Sequence, residues 1–284
     1  MNNKIEFENG PFGIKAIIKG VWQDTYLKLL FKKEVQELEL NEGKGWHGDN
    51  LDFLKFIPNL KSIIIIDFSI QSIQPIHSLI SLTHLRLLTN CKKPINFMSF
   101  PELEYCDFEW IKGSESLFEC KRLKGLGINR FNNKSSALFA NLNDLERLTI
   151  LNAKIENIDG INELKKLKYL SISNLKNLNS LKGLQNLHEL EELEIQRCKG
   201  LYDVSIIFKL TKLKRLLLID LGDISSIMGL ENLTGLRDFL FYESTNVIDG
   251  DLFPITKLSS LRKISYQNRK HYTHKREDFV KLYA

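Results

Sequence analysis

Apolar and polar positions along this chain fall into a unit that recurs eleven times: an apolar residue, two others, an apolar residue, one other, an apolar residue. The copies begin at Val35, Leu60, Leu82, Leu103, Leu123, Leu145, Leu167, Leu190, Leu213, Leu236 and Leu261, 20 to 25 residues apart. After each such stretch the apolar residues return at every third position. In the sixth copy Leu145, Leu148 and Ile150 give way to Ile155, Ile158, Ile161 and Leu164; in the eighth, Leu190, Leu193 and Ile195 give way to Leu201, Val204, Ile207 and Leu210. Alternation at period two predicts a short strand, and spacing of three predicts a tight 3₁₀-like or irregular return with its apolar side inward. A single copy cannot bury that side. Stacked copies can, so the period predicts a solenoid whose short strands form one long parallel sheet.

The details narrow this further. Gly160-Ile161, Gly183-Leu184 and Gly229-Leu230 share one register of the return stretch, and Leu164, Leu187, Leu210 and Leu233 each stand three residues before the next copy's first Leu. These residues resemble the leucine-rich-repeat family in its short form of bacterial or phosphatase-regulator type. The resemblance implies an α/β fold: a right-handed solenoid, or horseshoe, with one long curved parallel sheet and a 3₁₀ or irregular convex side. It implies binding of other macromolecules and no reaction. The chain departs from the family at the asparagine ladder that caps the turn after each strand. The ninth position holds Asn only at Asn90, and elsewhere carries Phe68, Ile111, Phe131, Ala153, Leu175, Cys198, Leu221 and Ser244.

With the fourth and sixth positions of each strand pointing inward, the third, fifth and seventh point to the concave side. Those columns hold seven acidic residues (Glu37, Glu39, Asp107, Glu109, Glu192, Glu194, Asp238) against four basic ones (Arg86, Arg147, Arg215, Lys263), although the whole chain carries a net charge of +5. A face of that sign would repel phosphates, so no nucleic acid is expected there and a protein partner with some basic surface is. Apolar residues on these columns bunch into two groups. One is Ile64, Ile66, Leu88 and Tyr105; the other is Leu217, Ile219, Leu240 and Tyr242. Arg147, Tyr169, Arg215 and Asp238 complete the candidate partner-binding set, because exposed apolar residues rimmed by charge mark interaction surfaces and Tyr and Arg dominate their energetics. Gly125, Gly127, Asn129, Ser171 and Ser173 are small enough to admit a partner's backbone. Capping loops could instead cover some of these positions.

Residues 1–34 are expected to form an N-terminal cap, with strands over Ile5–Phe7 and Gly13–Val21 around Asn9-Gly10-Pro11 and a short helix over Asp24–Lys33. Residues 35–267 form the solenoid. Residues 268–284, with Arg269, Lys270, Lys275, Arg276 and Lys281, form a basic C-terminal cap or, failing that, an arm for an acidic partner. Each end must cover an apolar layer and unpaired strand edges. The 284 residues, 43% apolar and 26% charged, suit one compact solenoid. Cys91, Cys106, Cys120 and Cys198 form no C-x-x-C pair, and His271 with His274 lacks further ligands, so no metal site or disulfide framework is expected. The opening residues lack an apolar leader core and no stretch suits a membrane helix, which predicts a cytoplasmic protein that contacts no membrane.

One stretch competes with this reading. Gly43-Lys44-Gly45-Trp46-His47-Gly48 follows a predicted strand, precedes a short helical run and has Asp67 nineteen residues beyond, close to a dinucleotide-binding fingerprint. Trp46 and His47 are bulky where a pyrophosphate would approach, and the strand already belongs to the series. The expectation is therefore a non-enzymatic, cofactor-free protein-binding module, with a nucleotide-binding enzyme or switch as the alternative. Lys-, Asn- and Ile-rich usage points to a bacterial source, where small repeat proteins can act as inhibitors or immunity partners of toxins. The oligomeric state stays open, with a monomer expected and self-association a further option.

Overall fold

The computed structural model describes residues 3–280; Lys281 lies outside them. The chain forms two compact units, Met1–Ile128 and Asn129–Ala284. The first opens with an antiparallel hairpin, β1 (Lys4–Gly10) and β2 (Gly13–Lys19), followed by α1 (Thr25–Lys32). Parallel to β2 run β3 (Val35–Asn41), β4 (Ser62–Ile66), β5 (His84–Leu88) and β6 (Tyr105–Glu109). β7 (Gly125–Asn129) closes this series. The second unit repeats the arrangement with β8 (Arg147–Leu151), β9 (Tyr169–Ser173), β10 (Glu192–Gln196), β11 (Arg215–Ile219), β13 (Asp238–Tyr242) and β15 (Lys263–Ser265), again parallel neighbours in order. A two-stranded parallel piece, β12 (Asp223–Ile224) with β14 (Asn246–Val247), lies outside that sheet.

Each of the eleven copies carries its strand, beginning at the third position in all but the first. Register follows from the buried columns. Fourth-position residues such as Leu38, Ile63, Leu148, Leu170 and Leu216 and sixth-position residues such as Leu40, Ile65, Ile150, Ile172 and Leu218 are buried. A slip by one residue would turn these columns to solvent. The returns are 3₁₀ turns, among them Leu184–Asn186 and Leu230–Asn232, whose leading Leu residues are buried. Period three fits that geometry because residues three apart eclipse.

The turns after β7 to β11 and after β13 share one backbone conformation. The eighth position, not the ninth, adopts the left-handed conformation, at Arg130, Asn152, Asn174, Arg197, Asp220 and Glu243, with φ between 51° and 59°. In the first five of these the N–H donates to the seventh-position carbonyl of the next copy, as from Asn152 to Ser173 and from Arg197 to Ile219, both 2.9 Å. The backbone thus caps itself, and the ninth residue is free to be apolar: Phe131, Leu175, Cys198 and Leu221 are fully buried. A short asparagine ladder does exist one register earlier. Asn174 donates to Asn152 at 2.6 Å and Asn152 to Asn129 at 2.8 Å.

The C-terminal end of the second unit is covered. Residues Asn268–Phe279 fold back over the last layer, where Tyr266 stacks on Phe241 at 4.8 Å and Phe279 meets Tyr266 at 6.2 Å. The Tyr272 hydroxyl accepts from Val247 N and Asn268 ties down α2 (Arg276–Val280) through Arg276 N and Glu277. No helix among the described residues is long and apolar enough to cross a membrane.

Candidate functional site

The third, fifth and seventh positions of the strands face away from the core, and this solvent face differs between the units. In the first, the β1–β2 hairpin reaches over it. Phe12 N donates to Glu37 at 2.8 Å, and Lys15 and Lys44 pair with Glu39 at 2.6 and 2.9 Å. Burial would raise the Glu39 pKa, but the hydrogen bonds from Lys15, Lys44 and Asn41 outweigh it and hold the carboxyl at about 2. Phe12 also packs on His84 at 4.5 Å, and His84 stacks on Tyr105 at 4.4 Å. Burial pushes the His84 pKa down, which favours the uncharged ring.

That aromatic row separates Tyr105 from its expected group. Ile66 and Leu88 lie side by side, but Ile64 is flanked by Glu39 and Arg86, and Tyr105 belongs with His84. Ile64, Ile66 and Leu88 are half-buried, and Tyr105 is 37% exposed. Gly125 and Gly127 do not form an opening for a partner's backbone. The Tyr105 ring occupies the space where a Cβ on Gly125 would stand, and the Asp107 carboxylate occupies that of Gly127.

In the second unit the third and fifth columns carry a charged and aromatic network. The Arg147 guanidinium lies 4.1 Å from the centre of the Tyr169 ring, the Tyr169 hydroxyl donates to Glu194 at 3.3 Å, and Arg215 reaches Glu194 at 3.6 Å and Glu192 at 3.7 Å. Beyond it, β11 and β13 place Leu217 beside Leu240, Ile219 beside Tyr242 and Arg215 beside Asp238. Ile219, Leu240, Tyr242 and Asp238 are half-buried. Leu217 corrects the expectation: at 6% exposure it is enclosed, because the fifth positions of both neighbouring strands, Glu194 and Leu240, flank it. The patch available to a partner is therefore Ile219, Leu240 and Tyr242.

The charge tally changes as well. Glu37, Glu39 and Glu109 are buried, leaving four acidic residues of the seven against the same four basic ones. Of the three buried acids, Glu37 and Glu39 are engaged by Phe12 and Lys15 of the hairpin, neither of which belongs to a repeat.

Two solved structures place this architecture. One is a leucine-rich-repeat protein of Leptospira interrogans, 16% identical, with a TM-score of 0.51 over 88% of this chain and 65% of the other. The second is the Arabidopsis receptor kinase HAESA in complex with the peptide hormone IDA and the co-receptor SERK1, 16% identical, TM-score 0.59, over 84% of this chain and 46% of HAESA. The fold is that of the leucine-rich-repeat proteins. No family model matches the sequence, and no curated protein is similar to it.

Within this leucine-rich-repeat chain the remaining candidate chemistry is used for packing. Trp46 is fully buried, and its indole N–H donates to Asp67 at 2.8 Å. The other Asp67 oxygen accepts from Ser69 N, Ser69 Oγ and Ile70 N, so the residue at the ribose-binding spacing is engaged in a turn. The run after the glycines is a five-residue 3₁₀ turn, Asp52–Phe56. His271 Nε2 lies 3.0 Å from the Val247 carbonyl, and His274 packs on Phe279. Burial pushes the Cys198 and Cys120 thiols up to about 11, which leaves little thiolate at neutral pH.

Proposed function

We propose that the chain is a non-enzymatic binding module that holds a protein partner against the solvent face of its second unit. The observation that carries this reading is the patch on β11 and β13, where Ile219, Leu240 and Tyr242 stand half-exposed side by side with Arg215 and Asp238 next to them. Apolar area rimmed by charge supplies burial energy at the centre and orientation at the edge. The complex of HAESA with a peptide and a co-receptor supports a binding role for the same fold. A cytoplasmic bacterial inhibitor or immunity-type protein, which neutralises another protein by covering it, is the sharper form of the proposal, supported by the Lys-, Asn- and Ile-rich usage.

Affinity capture with the full chain from its native host, followed by titration of the captured partner, tests the reading. Tyr242→Ala and Leu240→Asp should fold normally yet bind at least about tenfold more weakly, since a lost hot spot is worth about 2 kcal/mol and 1.4 kcal/mol is a factor of ten. Charge reversal at Lys182 or Lys212, both off this face, should leave affinity unchanged. Full affinity in the face variants with loss in the reversed controls would move the function to another surface.

A further inference from the structure

A ladder of charges runs along the edge of the sheet where the strands begin. At the second position of successive copies the residues alternate in sign, from Glu104 and Lys124 in the first unit to Glu146, Lys168, Glu191 and Lys214 in the second. They pair across neighbouring copies: Lys124 with Glu104 at 2.9 Å, Lys168 with Glu146 at 2.8 Å and Lys214 with Glu191 at 2.7 Å. A parallel row three residues before each strand does the same, with Lys166 on Asp144 and Lys212 on Glu189, both 2.6 Å. Exposed rungs ~4.8 Å apart would repel if they carried one sign, and alternation removes that cost.

The alternation stops at the last two rungs. Where an acid and then a base would continue it, the chain has Arg237 and Arg262, and the second row has Gly235 and Ser260. Backbone hydrogen bonds from Arg237 N to Lys214 O (2.8 Å) and from Arg262 N to Arg237 O (2.7 Å) put the three basic residues on consecutive rungs. Lys263 follows on the next position and is exposed, as are Arg237 and Arg262. Among the described residues none of these last three side chains has a hydrogen bond or ion pair, and Asp238, the neighbour of Lys263 across the strands, is not close enough to pair with it. A row of uncompensated cations on neighbouring strands, two of them planar guanidinium forks, fits successive carboxylates.

We propose that Arg237, Arg262 and Lys263 form a docking strip for an acidic segment of a protein partner. Lys263 stands beside Asp238 and two residues before Ser265, the strand neighbour of Leu240, so the strip's purpose rests on the binding reading, whereas its own test does not. The probe is fluorescein-labelled deca-glutamate, titrated by polarisation against the full chain at about 20 mM salt, where exposed charges are weakly screened. Deca-glutamate should bind the wild type and bind R237E/R262E at least about tenfold more weakly, in step with the several exposed pairs reversed. The milder R237Q/R262Q should fall between, and melting curves should show all variants folded. K182E/K212E, with the same change in net charge, should retain the wild-type affinity. Failure of deca-glutamate to bind, equal loss in K182E/K212E, or equally tight binding of a ten-residue oligothymidylate would each overturn the strip as an acidic-peptide site.

Discussion

Glu39 shows how a single side chain on an outward-facing column becomes structural. Its carboxylate is 3% exposed and accepts from Lys15, Lys44 and Asn41, which keeps its folded pKa at about 2, against 4.5 for an ordinary glutamate. A carboxyl depressed in the folded state stabilises the protein above its unfolded pKa, and that contribution is lost as pH falls through the folded value. Glu39→Gln should therefore cost about 2 kcal/mol at pH 7, a figure discounted from a shift of this size at 1.36 kcal/mol per unit. Thermal melts at successive pH values should show the gap between variant and wild type closing between about 4.5 and 2. A gap that does not change with pH would mean that the pair carries no net stability. Leu170, 1% exposed at a fourth position, makes the opposite case of a residue legible from the start. Leu170→Ala should cost roughly 2 to 5 kcal/mol in denaturant unfolding, because the stacked layers on either side cannot collapse into the hole. A loss below about 0.5 kcal/mol would contradict the register.

At the scale of elements, the C-terminal segment covers a layer that the repeats leave open. Tyr266 and Phe241, 2% and 1% exposed, have Phe279 and Tyr272 packed against them, Phe279 on Tyr266 and Tyr272 on both. Deleting residues 268–284 should lower the melting temperature or cause aggregation, since it uncovers a stacked aromatic layer together with a sheet edge. Phe279→Ala isolates the packing term and should lower stability by up to about 3 kcal/mol. Unchanged melting of both forms would identify the segment as a free arm. The turns after the strands depended on tertiary context in a way the sequence concealed. Arg130 and Arg197 carry no left-handed preference of their own, yet each adopts that conformation, in which its N–H meets the next copy's carbonyl.

At the scale of the whole molecule, the outward faces of the two units differ. The hairpin occupies part of the face of the first unit, while the second unit leaves its patch on β11 and β13 open. Hydrogen exchange with and without a captured partner should show added protection in Arg215–Ile219 and Asp238–Tyr242 and none in Ser62–Ile66 or His84–Leu88. Protection confined to β4 and β5 would reverse the assignment.

What the sequence by itself determined was the repeat period, the strand register and the buried columns, because these follow from local spacing of apolar residues and are repeated eleven times with little room for a second solution. The outward columns were equally legible as positions. Their state was not. Whether Glu37 is a surface acid or a buried acceptor, whether Gly125 is an opening or the seat of Tyr105, and whether Leu217 can meet a partner depend on residues 20 to 25 positions away that only the folded chain brings near. Local patterning fixes which way a side chain points, and tertiary packing decides what stands in front of it.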